Sequence, residues 1–206
     1  MDTEQALKAL WCDVRRRLSV KRLLGGPAPS LSLRIPGTAA MWFGTATDAE
    51  PQRLAVDGDG LHAAAYAERH DVCAVATGGG DFGLRLADFG GTLAGVFDEQ
   101  VRHLGAMPSP VCGTAGLAHA LRGGTNVLML NGHPLVLGMT GARLALNAEL
   151  FEKCAKACVL AMAAGGRIKP LPWIVRHVAN GRLMKDEQRA RLRTRAGLLP
   201  QETKGY

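Results

Sequence analysis

The sequence predicts an α/β fold, with helices on both faces of a sheet that contains much antiparallel pairing. Short segments such as residues 30–35 alternate small polar and apolar residues with the period of a strand. Longer segments, residues 4–23 and 144–164, place apolar residues at every third or fourth position, which is typical of helices packed on a core. Asn131-Gly132 separates two short apolar runs and predicts a tight turn between antiparallel strands.

The predicted elements alternate along the chain without an internal repeat or a low-complexity linker. Glycines and prolines interrupt the pattern after the first helix, and Asp81 is placed to cap a short helix after a run of three glycines. The predicted strands are residues 30–35, 39–46, 53–58, 71–77, 126–130 and 134–138, and the predicted helices are residues 4–23, 61–70, 82–89, 113–121 and 144–164.

Length and composition predict one globular domain with a core of its own. The chain has 206 residues, of which 47% are hydrophobic and 21% charged. No apolar run approaches the roughly 18 to 20 residues that a membrane-spanning helix needs, and the first residues do not have the pattern of a secretion signal. The five cysteines form no C-x-x-C pair, so reduced, buried thiols and a cytoplasmic protein are expected.

The net charge of +7 is concentrated near the C-terminus. Residues 1–166 balance their charges, whereas residues 167–206 carry the whole basic excess, so we predict a domain over 1–166 and a basic helical extension of it over 167–206. Such a helix could attract an anion or nucleic acid, but no nucleic-acid motif accompanies it and a solvated helix is the preferred interpretation. The basic side chains in question are Arg182, Lys185, Arg189, Arg191, Arg193 and Arg195.

One series of residues resembles a known family. The pattern H-x-x-x-Y-x-x-R-x-D-V-x-A-V is matched from His62 to Val75, and Glu149 and Glu152 are acidic residues on the long last helix of the pattern. Together these resemble the class II aldolase/adducin family, which includes fuculose-phosphate aldolase and ribulose-phosphate epimerase, over about residues 5–164. The resemblance implies a three-layer α/β/α fold with a central mixed, mostly antiparallel sheet, and a homo-oligomer, in this family a tetrameric ring.

The family's metal-binding histidines are not matched. Its catalytic members hold a divalent ion with three histidines, and such an ion stabilises the enediolate formed when a carbon–carbon bond breaks. The H-T-H segment that supplies two of them aligns with residues 77–79, a threonine and two glycines, and the N-H-G segment that supplies the third reads Asn131-Gly132-His133. The family's glutamate aligns with Gly58.

Other residues keep part of a binding site. The family's phosphate-binding segment aligns with residues 29–32, so Ser30 and Ser32 still offer hydroxyls. Thr77, followed by Gly78, Gly79 and Gly80 before a helix, has the outline of an anion cradle, although an ordinary glycine-rich turn is the preferred interpretation. These six residues are the predicted ligand- or phosphate-binding set.

Three hypotheses follow for the function. The leading one is a metal-free, catalytically degenerate family member that binds a small anionic molecule as a ligand-binding, regulatory or partner subunit, with no cofactor. The second is a lyase of the aldolase, decarboxylase or epimerase type on a sugar phosphate or carboxylate, with a remodelled site. The third is an anion- or nucleic-acid-binding protein that works through the basic C-terminal residues.

The remodelled site of the second hypothesis has tentative residues. His133, Asp57 and Asp59 are its catalytic candidates. If a metal is bound, zinc or manganese is expected, with His62 and His133 as ligands and Cys112 as a further candidate.

Overall fold

The structure is a computed structural model that describes residues 3–202 of the chain. Residues 203–206 of the predicted C-terminal extension lie outside the described part. The strands are β1 (Gly25–Ile35), β2 (Ala40–Thr45), β3 (Gln52–Ala55), β4 (Ala74–Gly79), β5 (Val127–Leu130) and β6 (His133–Gly138). The helices are α1 (Thr3–Val20), α2 (Leu61–Glu68), α3 (Asp81–Arg85), α4 (Asp98–Leu104), α5 (Leu117–Leu121), α6 (Gly141–Ala163) and α7 (Trp173–Arg195).

Most of the predicted elements are present, but several are shorter than expected. The third strand covers four residues instead of residues 53–58. The helix expected over residues 82–89 begins at Asp81 and tightens after Arg85 into a 3₁₀ turn, which ends at Gly90 with φ of 89°. Only the second half of residues 113–121 is helical. The structure adds α4, which no clear pattern had predicted.

The six strands form one sheet in the order β3-β2-β1-β4-β6-β5. Each pairing between neighbouring strands is antiparallel. Within residues 3–202, the parallel contact found is an isolated bridge between Val111 and Leu130. The predicted mixed sheet is therefore antiparallel in all its strand pairs.

The predicted hairpin is confirmed. Leu130 of β5 pairs with His133 of β6 across a two-residue turn. Both turn residues have positive φ, 51° at Asn131 and 80° at Gly132. This is the backbone that an Asn-Gly turn favours, because asparagine tolerates the left-handed region and glycine has no Cβ to oppose it.

Helices cover both faces of the sheet, which gives the predicted three layers. On one face, α1, α3 and α6 pack on a cluster that includes Leu31, Leu33 and Val136. On the other face, α2 and α5 pack on a cluster that includes Val75 and Leu135. Since successive side chains of β1 point to opposite faces, its leucines lie under α1 while Ser30, Ser32 and Arg34 face α2.

Trp11 fixes α1 to the sheet. Its side chain is fully buried, and the indole N–H donates to the carbonyl of Leu31 at 2.9 Å. The ring lies directly over Gly44, where a Cβ atom would come within 2.6 Å of it. The glycine in β2 therefore makes room for the largest side chain of the core.

A buried ionic cluster joins α7 to the rest of the domain. Arg69 binds both oxygens of Asp71 at 2.9 and 2.6 Å and the carboxylate of Glu187 at 2.8 Å. It also donates to the carbonyl of Thr125 at 2.6 Å and to the side chain of Asn126 at 3.1 Å. The cluster joins α7 to the residues that precede β4 and to those that precede β5. This helix is therefore tied to the rest of the described structure. No helix among residues 3–202 has the length and apolar character to cross a membrane.

The burial of Glu187 should make the stability of the folded protein depend on pH. Burial raises the pKa of Glu187 to about 7, and the attraction of Arg69 offsets only part of this effect. The folded state therefore binds a proton that the unfolded state releases near pH 4.5, so this group contributes stability below that pH and loses it as the pH rises through 7. Between about pH 4.5 and 7, the free energy of unfolding of the parent should therefore fall by roughly 2 to 4 kcal/mol because of this group. We expect this fall to be absent in Glu187→Gln.

The measurement is urea denaturation of the parent and the variant between pH 4 and 8. Glu149→Gln is the matched control, because hydrogen bonds from Arg17 and Lys21 outweigh its partial burial and lower the pKa of Glu149. The stability that Glu149 contributes is present above about pH 4.5 and is lost below it, so the control should differ from the parent by a constant amount between pH 5 and 8. Parallel curves for the parent and Glu187→Gln over that range would contradict the prediction.

Candidate functional site

A cavity of about 530 Å³ lies on the α2 face of the sheet. It is bounded by β1, the end of β4, the β5–β6 hairpin and the start of α2. Its volume falls within the range of sites that bind small molecules. Most of the side chains around it are apolar, and the larger ones are Met41, Phe43, Leu54, Leu61, Leu130 and Leu135.

The floor of the cavity is a chain of hydrogen bonds centred on His62. The Nε2 atom lies 2.9 Å from the Ser30 hydroxyl, and the Nδ1 atom lies 2.7 Å from the Ser32 hydroxyl. Ser32 continues to the hydroxyl of Tyr66 at 2.8 Å, and Ser30 continues to the hydroxyl of Thr77 at 2.7 Å. Both ring nitrogens of His62 are therefore bound within the protein.

This chain of hydrogen bonds ends at backbone carbonyls, and its side chains carry no charge at neutral pH. Thr77 donates to the carbonyl of Ala28 at 3.1 Å, and at the other end the Tyr66 hydroxyl lies 3.5 Å from the carbonyl of Cys73. Burial lowers the pKa of His62 to about 4 and raises the pKa of Tyr66. A neutral imidazole donates from one nitrogen and accepts at the other, so the hydroxyls of the chain share one direction along it.

The predicted ligand-binding residues fall into three groups. Ser30, Thr77 and Gly78 line the cavity. Ser32 is fully buried behind His62 and takes part through the hydrogen-bond chain. Gly79 and Gly80 do not line it: a Cβ atom at Gly79 would lie 2.8 Å from Pro134, and the Glu152 carboxylate lies against Gly80.

Glu152 occupies the helix start that the sequence had suggested as an anion cradle. Its two carboxylate oxygens accept from the backbone N–H groups of Phe82 at 2.9 Å and Gly83 at 2.8 Å. These are amides that a bound phosphate would use at a helix start. A side chain of the protein itself thus binds the amides at this position.

The predicted catalytic residues are only partly assembled. His133 and Asp59 line the cavity, whereas Asp57 and Cys112 are not among its lining residues. The Nδ1 atom of His133 is buried and has no hydrogen-bond partner in the described part of the chain. Neither the apolar lining residues nor the position of Ser32 behind His62 was predicted from the sequence. The alternation of polar and apolar residues over 30–35 was the one feature of the sequence that could have placed Ser32 on the same face of the strand as Ser30.

Comparison with solved structures identifies the fold. YgbL from Escherichia coli has a TM-score of 0.72 at 19% identity, covering 87% of this chain and 100% of that one. The aldolase II superfamily protein from Pseudomonas syringae has a TM-score of 0.71 at 16% identity over 97% and 96% of the two chains. L-fuculose 1-phosphate aldolase from Glaciozyma antarctica PI12 has a TM-score of 0.70 at 16% identity over 92% and 88%.

The chain has the class II aldolase fold. At these sequence identities the similarity establishes the architecture, and the activities of the similar proteins remain statements about those proteins. No protein-family model and no curated protein sequence matches the chain.

The residues of this class II aldolase fold do not fit the three-histidine metal site that the resemblance implies. Two of its positions are Thr77 and Gly79, and a side chain at Gly79 would collide with Pro134. His62 has no nitrogen left for a metal, because Ser30 and Ser32 bind both. Within residues 3–202, no group of three or more histidine, cysteine or acidic side chains is arranged to hold a metal ion.

The predicted basic face of α7 is partly bound to the protein itself. Arg189 pairs with Asp186, Arg193 donates to the carbonyl of Leu199 at 2.8 Å, and Arg191 lies 4.0 Å from Asp71. The remaining basic side chains of the predicted face, Arg182, Lys185 and Arg195, are exposed. The face available to an anionic partner is therefore smaller than the sequence suggested.

Ser32 provides a test of the hydrogen-bond chain. Ser32→Ala removes the partner of His62 Nδ1 and of the Tyr66 hydroxyl, and both groups are buried. We expect a loss of about 1 to 3 kcal/mol in the free energy of unfolding, because a buried polar group left without a partner costs that much. Urea denaturation measures it, with the exposed Ser109→Ala as control, for which a change within about 0.5 kcal/mol is expected. Equal stability of the two variants would contradict the hydrogen-bond chain through Ser32 and His62.

Proposed function

We propose that this class II aldolase-like protein is metal-free and catalytically degenerate, and that it binds a small molecule in the cavity as a ligand-binding, regulatory or partner subunit. The observation that carries the proposal is the bonding of His62. Its two nitrogens are held by serines at 2.9 and 2.7 Å, so the most buried histidine of the cavity connects α2 to β1 and is not available as a metal ligand.

The glycine run supports the same proposal. At Gly79 the neighbouring Pro134 fills the space that a ligating side chain would need, and at Gly80 the neighbouring group is Glu152. The cavity remains open beside these filled positions. An open pocket next to filled metal-ligand positions is what we expect of a protein that binds a ligand without converting it.

We also propose that the protein is a cytoplasmic homo-oligomer. Large apolar side chains at the start of α7, among them Trp173 at 69% and Ile174 at 56% exposed, support an interface with a further copy. The five cysteines are free thiols, which supports a reducing compartment. A tetramer is the assembly that the resemblance implies.

A second candidate function is a lyase with a remodelled site on a sugar phosphate or carboxylate. It is favoured by the unpartnered Nδ1 atom of His133, which lines the same cavity as Asp59. In that case His133 would take the proton from the substrate hydroxyl as the carbon–carbon bond breaks, and Asp59, which lines the same cavity, would return a proton to the carbon left by the broken bond.

Metal content and aldol cleavage separate the two functions. Protein purified without a histidine tag should contain far less than one zinc, manganese, iron or cobalt per chain by elemental analysis. It should also cleave L-fuculose 1-phosphate no faster than buffer does. These results are expected because the described residues, 3–202, offer no group of three side chains placed to hold a metal ion.

The opposite result would establish the lyase. It would consist of cleavage at an enzymatic rate that is lost in His133→Ala, whereas near-stoichiometric metal without cleavage would refute only the metal-free site. His119→Ala is the matched control, because His119 is exposed on α5 and does not line the cavity.

A further inference from the structure

We infer that the ligand of the cavity is an uncharged, largely apolar molecule that carries a single hydroxyl group. This inference rests on the proposed function, since it names the class of molecule that the binding site takes. It differs from the small anionic ligand that the sequence had suggested.

The charges around the cavity exclude an anion. Of the described residues that line it, none is lysine or arginine, and the acidic one is Asp59. A phosphate or carboxylate would have to leave water without a cation to pair with, which is costly in an apolar site. The helix-start amides of Phe82 and Gly83 offer no substitute, because Glu152 binds them.

The saturated hydrogen bonds of the floor disfavour a molecule with many hydroxyls. Ser30 and Thr77, which face the cavity, each bind partners within the protein. A sugar would exchange its hydrogen bonds to water for few new ones. Burial of apolar surface, at roughly 25 cal/mol per Å², is the gain that the leucine, methionine and phenylalanine side chains of the lining offer.

His133 accounts for the single polar group. Its Nδ1 atom is buried at the cavity and has no partner among the described residues. A hydroxyl donates to this nitrogen in one tautomer of the imidazole and accepts from it in the other. A ligand hydroxyl at this position would satisfy the atom in either case.

Binding of three matched probes tests the inference by isothermal titration calorimetry on the full chain at pH 7. The probes are 2-naphthol, naphthalene and 2-naphthyl phosphate, which share one apolar body. We expect 2-naphthol to bind several-fold more tightly than naphthalene and at least about tenfold more tightly than the phosphate ester. Equal or tighter binding of the ester, or no binding of 2-naphthol, overturns the inference.

Two cavity variants and one control locate the effects in the cavity. His133→Phe keeps a planar ring without the nitrogen, so it should abolish the preference for 2-naphthol over naphthalene while naphthalene still binds. His119→Phe, on the exposed face of α5, should keep the preference. Asp59→Asn removes the acidic side chain of the described lining, so it should strengthen binding of the ester more than binding of 2-naphthol. If His133→Phe keeps the full preference, the hydroxyl does not meet His133 and the inference is wrong.

The result is separable from the test of the proposed function. Cleavage of L-fuculose 1-phosphate would refute binding without turnover, and metal in stoichiometric amount would refute the metal-free site. A metal-free, inactive protein that prefers the phosphate ester would refute only the class of ligand.

Discussion

The site depends on one constraint, which is that a buried imidazole needs a partner at each nitrogen. His62, in the first turn of α2, is buried against β1, where burial keeps it neutral and the serines of the strand supply both partners. This requirement fixes the helix against the strand and aligns the hydroxyls that form the cavity floor. The alternation of β1 makes it possible, because the same strand directs Leu31 and Leu33 into the opposite core.

The glycines at the end of β4 leave space that neighbouring elements fill. A glycine leaves space, and at Gly79 and Gly80 that space is taken by Pro134 and Glu152 from neighbouring elements. Glu152 also binds the amides at the start of α3, so a side chain on α6 neutralises a position that would attract an anion. The packing of α3 on α6 thus gives the amides at this helix start a partner within the protein.

The sequence predicted what depends on local pattern. The Asn131-Gly132 hairpin, the alternation of β1 and the stripe of α6 are present because turn geometry and periodicity are properties of neighbouring residues. The pairing of Arg69 with Glu187, 118 positions apart, and the contact of Glu152 with residues 82 and 83 follow from tertiary packing that no local pattern records. The same limit explains why a basic C-terminal segment looked like a free face although several of its arginines bind the protein.

The net charge of +7 does not reach the cavity, and Arg34 shows why. It follows Ser30 and Ser32 on the same face of β1, so it is the positively charged side chain of this strand face. Its guanidinium lies 4.6 Å from the centre of the Tyr66 ring and donates to the carbonyl of Tyr66 at 2.5 Å, behind the floor of hydroxyls. Charge held in this way stabilises the packing of α2 and is not available to a ligand. What enters the cavity meets neutral hydroxyls, apolar side chains, the imidazole of His133 and Asp59, so the local lining, and not the overall charge, decides the class of molecule that fits it.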